Sequence, residues 1–415
     1  MLLYKMRFLQ PNRGRAEQDA GESLPPRKWL ALLQVCSALS AGLVVGWGDS
    51  ALAQSSAPIT SLKEAPVGPD GKGEPLSLAK QGSFFAGGTV ITSATGDTFH
   101  GDEAYVEFQI PHDARELPMV MWHGGGQFSK TWESTPDGRD GYEQIFTRRG
   151  FAVYVIDQPR RGNAGRSTVG TTIPNAAPSE SFIWSVFRLG SWSPPAAPAF
   201  FPNVQFPKDV PGALDQYYLQ ETPNTGPEGI NEATRELESS AVVDLFNKIG
   251  PGILLTHSNS GQYGWTTGIL APNLVRAIVA YEPAAYAFPS DDVPSDIPTQ
   301  NAQLAAITAP QLYSPEQFNN LTQMPILIIF GDNIDFDTPS SNFGVELWRL
   351  VTHRAAQFAD AVNKRGGNAQ VLYLPSIGLR GNTHFAFSDL NNVQVADQLS
   401  HYLHEHGLDR HREGD

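Results

Sequence analysis

Six short runs of the chain are almost continuously apolar, and their spacing narrows the fold more than anything else. They are "PMVMW" (Pro118 to Trp122), "FAVYVID" (Phe151 to Asp157), "GILLT" (Gly252 to Thr256), "RAIVAYE" (Arg276 to Glu282), "PILIIFGD" (Pro325 to Asp332) and "QVLYLP" (Gln370 to Pro375). Runs of this length, without polar alternation, suit strands buried on both faces of a parallel sheet. A seventh run, "YVEFQI" (Tyr105 to Ile110), does alternate and reads as a half-buried strand. Between the runs lie segments of helical period. Glu232 to Lys248 has apolar residues at Leu237, Ala241, Val242, Leu245 and Phe246; Trp348 to Arg365 and Val393 to His404 read the same way. Strand–helix alternation predicts an α/β fold, a doubly wound and mostly parallel sheet with right-handed crossovers.

The rhythm breaks between residues 168 and 230. This stretch is rich in proline and in aromatics, among them Phe182, Trp184, Phe187, Trp192, Phe200, Phe201, Phe206, Tyr217 and Tyr218. Long connections are usually functional or disordered, and the aromatic content speaks against disorder. The segment is expected to be an inserted cap over a site rather than packing on the sheet edge.

The N-terminus is a different material. Arg27 and Lys28 precede an apolar run from Trp29 to Val45, and Ala51-Leu52-Ala53 follows. A basic start, an apolar stretch and an Ala-x-Ala ending predict a secretory signal cut near Ala53, although the residues ahead of Arg27 exceed an ordinary signal's basic region. Gln34, Ser37 and Ser40 interrupt the run, which argues against a permanent span. The chain thus divides into an extension and signal over 1–53, a loose Ser/Pro/Gly leader over 54–82, and one domain over 83–415. The expected location is secreted or periplasmic. The only cysteine, Cys36, lies in the signal, so no disulfide or thiol chemistry is expected of the mature protein. Net charge is −14, and six basic and four acidic groups in residues 1–53 leave −16 for the remainder. Such a chain repels phosphate backbones, which argues against a nucleic-acid role, and the charge reads as a means of solubility.

Three motifs carry chemistry. In "GILLTHSNSGQYGW" (Gly252 to Trp265) a buried strand runs directly into a tight turn. A nucleophilic serine on a strained strand-to-helix turn needs compact residues two positions to either side. Ser258 has Thr256 and Ser260 there; Ser260 would have Ser258 and the bulky Gln262. Ser258 is therefore the predicted nucleophile. "HGGGQ" (His123 to Gln127) follows an early strand, and its glycines let backbone N–H groups turn toward a developing oxyanion. Gly125 and the residue after the nucleophile, Asn259, are the predicted donors. "GNTHFAF" (Gly381 to Phe387) lies between the last strand and last helix and offers His384 as the base. His401, His404, His406 and His411 read as a solvated helix end rather than a metal site, while His123 and His257 support their loops.

The acid has two sources. The strand "PILIIFGD" leads to Asp332, Asp335 and Asp337, whereas "RAIVAYEP" ends in Glu282, one strand closer to the serine. A carboxylate at a strand's C-terminal end faces the crevice of the turn, and position favours Glu282. The Gly-rich "DQPRRGNAGRS" (Asp157 to Ser167) lacks the Gly-Lys-Ser/Thr of a phosphate loop. It reads as a turn, with Arg160, Arg161 or Arg166 available for internal ion pairs. Trp132, Trp184, Trp192, Tyr263 and Trp265 are the candidates for an apolar pocket wall.

The stretches "HGGGQFSKTWESTPDGRDGY", "VIDQPRRGNAGRS", "THSNSG", "AYEP", "IIFGDNID" and "GNTHFAFSDLNNVQVAD" make the chain resemble secreted bacterial esterases of the α/β-hydrolase superfamily that use a Ser–Glu–His triad. The resemblance implies Ser258 as nucleophile, Glu282 as acid, His384 as base and Gly125 with Asn259 as oxyanion donors. It implies hydrolysis of carboxylic esters; the aromatic pocket wall predicts hydrophobic or aryl ones, and the mechanism needs no metal or organic cofactor. The expected partner is a small-molecule ester, with no nucleic acid, no stable membrane association after signal cleavage, and a homodimer left open. A lactonase, an amidase or a C–C hydrolase on the same residues are the alternatives, with a non-catalytic binding protein behind them.

Overall fold

The computed structural model describes residues 75–96, 98–165, 167–170, 179–219 and 231–411. The predicted signal, most of the leader and Arg166 lie outside the described residues. Strand β1 (Leu78–Thr92) and strand β2 (Thr98–Pro111) open the fold as an antiparallel hairpin. The leader thus ends earlier than the predicted boundary at residue 82: β1 already begins at Leu78, and as an exposed edge strand it carries no buried-face alternation to reveal it.

Strand β3 (Met119–Trp122) follows, then the short helices α1 (Lys130–Glu133) and α2 (Tyr142–Arg148), then β4 (Val153–Asp157). The insertion contributes α3 (Glu180–Val186), the small ribbon β5 (Gly190–Ser191) and β6 (Ala199–Phe200), and α4 (Ala213–Leu219). Helix α5 (Glu232–Ile249) leads to β7 (Gly252–His257), α6 (Ser260–Leu270) and β8 (Val275–Tyr281). A second excursion holds β9 (Ala287–Pro289), α7 (Ala302–Ile307), β10 (Gln311–Tyr313) and α8 (Pro315–Asn319). The chain closes with β11 (Pro325–Phe330), α9 (Phe343–Lys364), β12 (Asn368–Tyr373) and α10 (Asn392–Glu405).

Eight strands form the main sheet in the order β1-β2-β4-β3-β7-β8-β11-β12. From β4 to β12 every pairing is parallel, and only β1 and β2 run antiparallel to their neighbours. The central strands β3, β4 and β7 are buried along their whole length, as their unbroken apolar sequences require. Helices cover both faces and divide the core in two. Val120, Leu254 and Ile278 face the cluster shared with α5, α6 and α9; Met121, Leu255 and Val279 face the one shared with α2 and α10. No helix among the described residues is long and apolar enough to cross a membrane.

Side-chain caps set two helix starts that periodicity alone leaves vague. Asn231 accepts from the Thr234 N–H at 2.9 Å and opens α5. Asn342 accepts from the Val345 N–H at 3.1 Å and opens α9 at Phe343, five residues ahead of the apolar period that begins at Trp348. In the hairpin, β1 is exposed along most of its length. The pairing of β2 with β4 spans only Tyr105 to Gln109. At about 3.3 Å per residue, the stretch from Thr98 to Ala104 overhangs the C-terminal edge of the sheet by about 20 Å. Phe85, Val90, Ile91 and Phe99 are exposed along it.

Candidate functional site

The parallel strands end on one edge, and the three predicted motifs meet there. Strand β7 stops at His257, and Ser258 then takes φ +54° before α6 begins. A left-handed backbone costs a non-glycine residue about 1–3 kcal/mol and persists only where its surroundings enforce it. Here the Ser258 N–H donates to the Tyr281 carbonyl at 2.9 Å, and its own carbonyl accepts from Gly261 N–H (3.1 Å) and Ala284 N–H (3.0 Å). Ser258 is thereby raised to a half-buried position at the tip of the turn. Ser260 has a different fate. It is fully buried, and its hydroxyl lies between the His257 N–H (3.0 Å) and the carbonyls of His257 and Trp122.

The glycine loop lies directly against this turn. A Cβ at Gly124 would come within 2.8 Å of His257 Nδ1 and 3.1 Å of Ser258 Cβ, so glycine is what lets the loop approach. A Cβ at Gly125 would meet Asn259 Cβ at 3.2 Å, which sets Gly125 beside the residue after Ser258. Within the loop the Gly124 N–H donates to Gln127 Oε1 at 3.3 Å, and the Gln127 N–H to the Gly124 carbonyl at 3.4 Å. The Asn259 side chain is fixed in turn: its Oδ1 accepts from Gln262 Nε2 at 2.5 Å, and its Nδ2 donates to Tyr263 OH at 3.1 Å.

His384 reaches the same place from the far side. Its Nδ1 lies 2.7 Å from Glu282 Oε2, while Nε2 is buried with no hydrogen bond among the described residues. Since the carboxylate is an acceptor, Nδ1 carries the proton and Nε2 presents a lone pair. The His384 ring sits 4.4 Å from that of His257, and the His384 carbonyl accepts from His257 Nε2 at 3.0 Å. Phe187 stacks on His384 at 5.1 Å and Trp348 lies at 4.5 Å. The loop that carries His384 is held from below. Asp389 accepts from the Thr383 N–H (2.7 Å), Thr383 Oγ1 (2.9 Å) and Asn382 Nδ2 (3.0 Å). Burial pushes the Asp389 carboxyl up to about 7 against those hydrogen bonds. Arg139, from the run "TWESTPDGRDGY", donates to Asn392 Oδ1 at 2.7 Å and to the Asp389 carbonyl at 3.1 Å, anchoring the far end of the loop. At Gly381 (φ +79°) a Cβ would lie 1.5 Å from the Asn203 carbonyl oxygen, so the insertion packs onto this loop through a position only glycine can fill.

Glu282 follows β8 with φ +46°. Its Oε1 accepts from the Gly331 N–H at 2.7 Å and from Arg188 Nη2. Burial works to raise its pKa, but the Arg188 guanidinium and the His384 hydrogen bond prevail and hold it at about 2. Burial also lowers the pKa of His384, and Arg188 adds to that, against the pull of Glu282 in the other direction. His257 and His123 are buried and depressed as well, His123 to about 4. His123 accepts from the Gln158 N–H at Nε2 (3.2 Å) and faces the Gly124 carbonyl through Nδ1 (2.8 Å), so it braces the glycine loop as a neutral ring. Of the other carboxylates considered for the acid, Asp332 accepts from Gly381 N–H and Asn203 Nδ2, Asp335 caps the turn at Asp337 and Thr338, and Asp337 is exposed. None of them touches His384.

The predicted pocket wall does not form. Trp132, Tyr263 and Trp265 are fully buried. Trp132 stacks on Phe387 at 4.2 Å beneath the His384 loop, Tyr263 stacks on Trp122 at 5.4 Å, and Trp265 packs on Phe358 with its Nε1 donating to the Ala285 carbonyl. Large rings with a polar handle bury well where that handle finds a partner, and two of these three do. Trp184 is buried against Phe200 within the insertion; of the five, Trp192 alone keeps a half-buried surface. The rings beside His384 are Phe187 and Trp348, which the sequence reading did not assign to the site. Arg188 was missed too, although a single arginine amid the aromatics of an insertion was the available signal. Among the expected ion-pair arginines, Arg160 binds Asp102 (2.7 Å), and Arg161 is buried near Glu238.

A mostly parallel eight-stranded sheet flanked by helices, with a strained serine turn at the end of a central strand, is the α/β-hydrolase fold. No established protein-family profile matches the chain. A probable secreted lipase, phiG, of Fungal sp. (strain ATCC 74256) is 27% identical over 334 residues, which cover 75% of this chain and 88% of that protein. A solved structure described as a novel bacterial esterase is 31% identical with a TM-score of 0.61, covering 81% of this chain and 99% of that one. The chain belongs to the family of α/β-hydrolase esterases that this structure represents.

Proposed function

We propose that Ser258, His384 and Glu282 form a catalytic triad that hydrolyses carboxylic esters through an acyl-enzyme. Ester hydrolysis is the chemistry of the family; the assignment of roles is carried by one observation. His384 is held by Glu282 at Nδ1, keeps an Nε2 with no hydrogen bond among the described residues, and packs against the residue that precedes a left-handed serine. Ser258 Oγ attacks the carbonyl carbon as His384 Nε2 takes its proton, and Glu282 stabilises the imidazolium. The N–H groups of Gly125 and Asn259 receive the oxyanion, each worth about 3 kcal/mol in the transition state. His384 returns the proton to the departing alkoxide. Water, deprotonated at the same nitrogen, then releases the acid and frees Ser258.

With Trp132, Tyr263 and Trp265 in the core, the preference for hydrophobic or aryl esters rests on the aromatic insertion beside His384. The secreted relative supports export of this chain as well. The test is a panel of chromogenic esters of rising acyl length, with lactones and an isosteric amide, assayed on protein beginning at Gln54. Ser258→Ala is expected to abolish turnover. Ser260→Ala is expected to retain the activity and lose about 1–3 kcal/mol of stability, because it removes a buried hydroxyl that others depend on. Inactivation by Ser260→Ala with the fold intact would move the nucleophile. Faster turnover of the amide than of the ester would change the substrate class.

A further inference from the structure

Glu282 is fully buried, yet its two oxygens are treated differently. Oε1 receives Arg188 Nη2 and the Gly331 N–H; Oε2 is left to His384. Arg188 is itself buried, donates from Nε to the Asp332 carbonyl at 3.0 Å, and lies over the Trp348 ring at 4.9 Å. It comes from the insertion, one residue after the ring that stacks on His384, and the carbonyl of that residue, Phe187, accepts from the His384 N–H at 3.2 Å. The insertion therefore grips base and acid with adjacent residues.

We infer that Arg188 is a positioning residue for ester hydrolysis: its guanidinium fixes which oxygen of Glu282 meets His384 and places a fixed positive charge beside the pair. The inference rests on the triad reading above. The working form of the pair, neutral His384 with ionised Glu282, carries one negative charge, and its protonated form carries none. A fixed positive charge beside Glu282 favours the working form wherever the proton would otherwise sit. Among the described residues no other cation contacts Glu282 or His384. The groups facing the pair are His257, which burial keeps neutral; Tyr286 and Asp389, both of which feel the Glu282 charge; and Asp332, which offers Arg188 only its carbonyl while its carboxylate binds Gly381 and Asn203.

The deciding measurement is the pH profile of kcat/KM for Arg188→Gln, Arg188→Met and Arg188→Lys beside the wild type. Loss of the charge in the Gln and Met variants is expected to move the acid limb upward by about 1 pH unit or more, with a lower plateau. Arg188→Lys is expected to hold the limb near its wild-type position and to recover only part of the plateau, because one ammonium cannot serve Glu282 and the Asp332 carbonyl as the planar fork does. A Gln limb that coincides with the wild type while the plateau falls would reduce Arg188 to a packing role and overturn the inference. If the Met variant does not fold, the Gln and Lys profiles, which differ by the charge, decide alone. Glu282→Gln, measured alongside, separates the two levels. Full activity in that variant would remove the triad reading itself; its inactivity together with an unmoved Arg188→Gln limb would remove only the role of Arg188.

Discussion

Two buried guanidinium–carboxylate pairs sit on the same edge of the sheet and are built alike. Arg160 binds Asp102 where the overhanging hairpin meets the turn after β4; Arg188 binds Glu282 where the insertion meets the site. All four residues have a left-handed backbone, with φ of 69°, 61°, 57° and 46° in that order. The difference lies in how the carboxylates are filled. Asp102 is closed on both sides: Arg160 Nε and Nη2 donate to its two oxygens at 2.7 and 2.9 Å, and the Thr168 N–H and hydroxyl complete it. Glu282 is closed on one oxygen only, and the other is given to an imidazole. A saturated bidentate pair is a staple; a half-saturated one leaves a carboxylate that can act on a third group. One element fastens an arm, and the other presents a charge.

Neutralising the two carboxylates should break this comparison most sharply. Glu282→Gln is expected to lower kcat by about 10⁴-fold, because the imidazole loses both its orientation and its counter-charge. Asp102→Asn should leave kcat within a few-fold of wild type and lower the melting temperature instead. A loss of kcat in Asp102→Asn on the scale of Glu282→Gln would mean that the hairpin pair is part of the site. Next in size is the stability effect of truncating a cation. Arg160→Met strands Asp102 as an unpaired buried charge and is expected to cost about 3–5 kcal/mol in denaturant unfolding, with the pH profile of the remaining activity unmoved. Adding Asp102→Asn to Arg160→Met should return about 2 kcal/mol, since an uncharged pair no longer bears the desolvation cost. The matching double replacement at Glu282 and Arg188 should return no activity.

The difference between the pairs also marks what could be read from the chain. Strands β3, β4, β7, β8 and β11 were legible because burial on both faces leaves an unbroken apolar run, whereas β12, read the same way, is a partly exposed edge strand. The serine turn and the glycine loop were legible because each is a local backbone requirement, met within a few residues. Arg188 was not, for it lies 94 residues from Glu282 and nothing around it repeats. The pocket aromatics were misjudged for a related reason. A tryptophan in a helix reads as apolar surface, but whether that surface faces a cavity or the core depends on packing, and Trp265 found Phe358 and a carbonyl for its N–H. The start of β1 was hidden because an edge strand open to solvent needs no pattern. Contacts that span the chain, and faces chosen by packing, are where local sequence reasoning stops.

The smallest effect concerns the acid limb of the wild type. Burial, then Arg188, hold the His384 imidazole below its ordinary pKa of 6.5, against the pull of Glu282. A base with a lowered pKa stays neutral to lower pH, so kcat/KM should remain on its plateau below that value and fall only as the pH drops through the depressed pKa. Glu282, held at about 2, stays ionised throughout this fall and contributes no second step. Asp102 is also lowered, by the Arg160 and Thr168 hydrogen bonds prevailing over burial, but it is saturated by those partners and has no contact with His384. Asp102→Asn should therefore leave the limb where the wild type has it. A limb at or above 6.5 in the wild type would mean that the pull of Glu282 outweighs burial and Arg188 together, and a limb that moves in Asp102→Asn would mean that the hairpin pair reaches the base through its field.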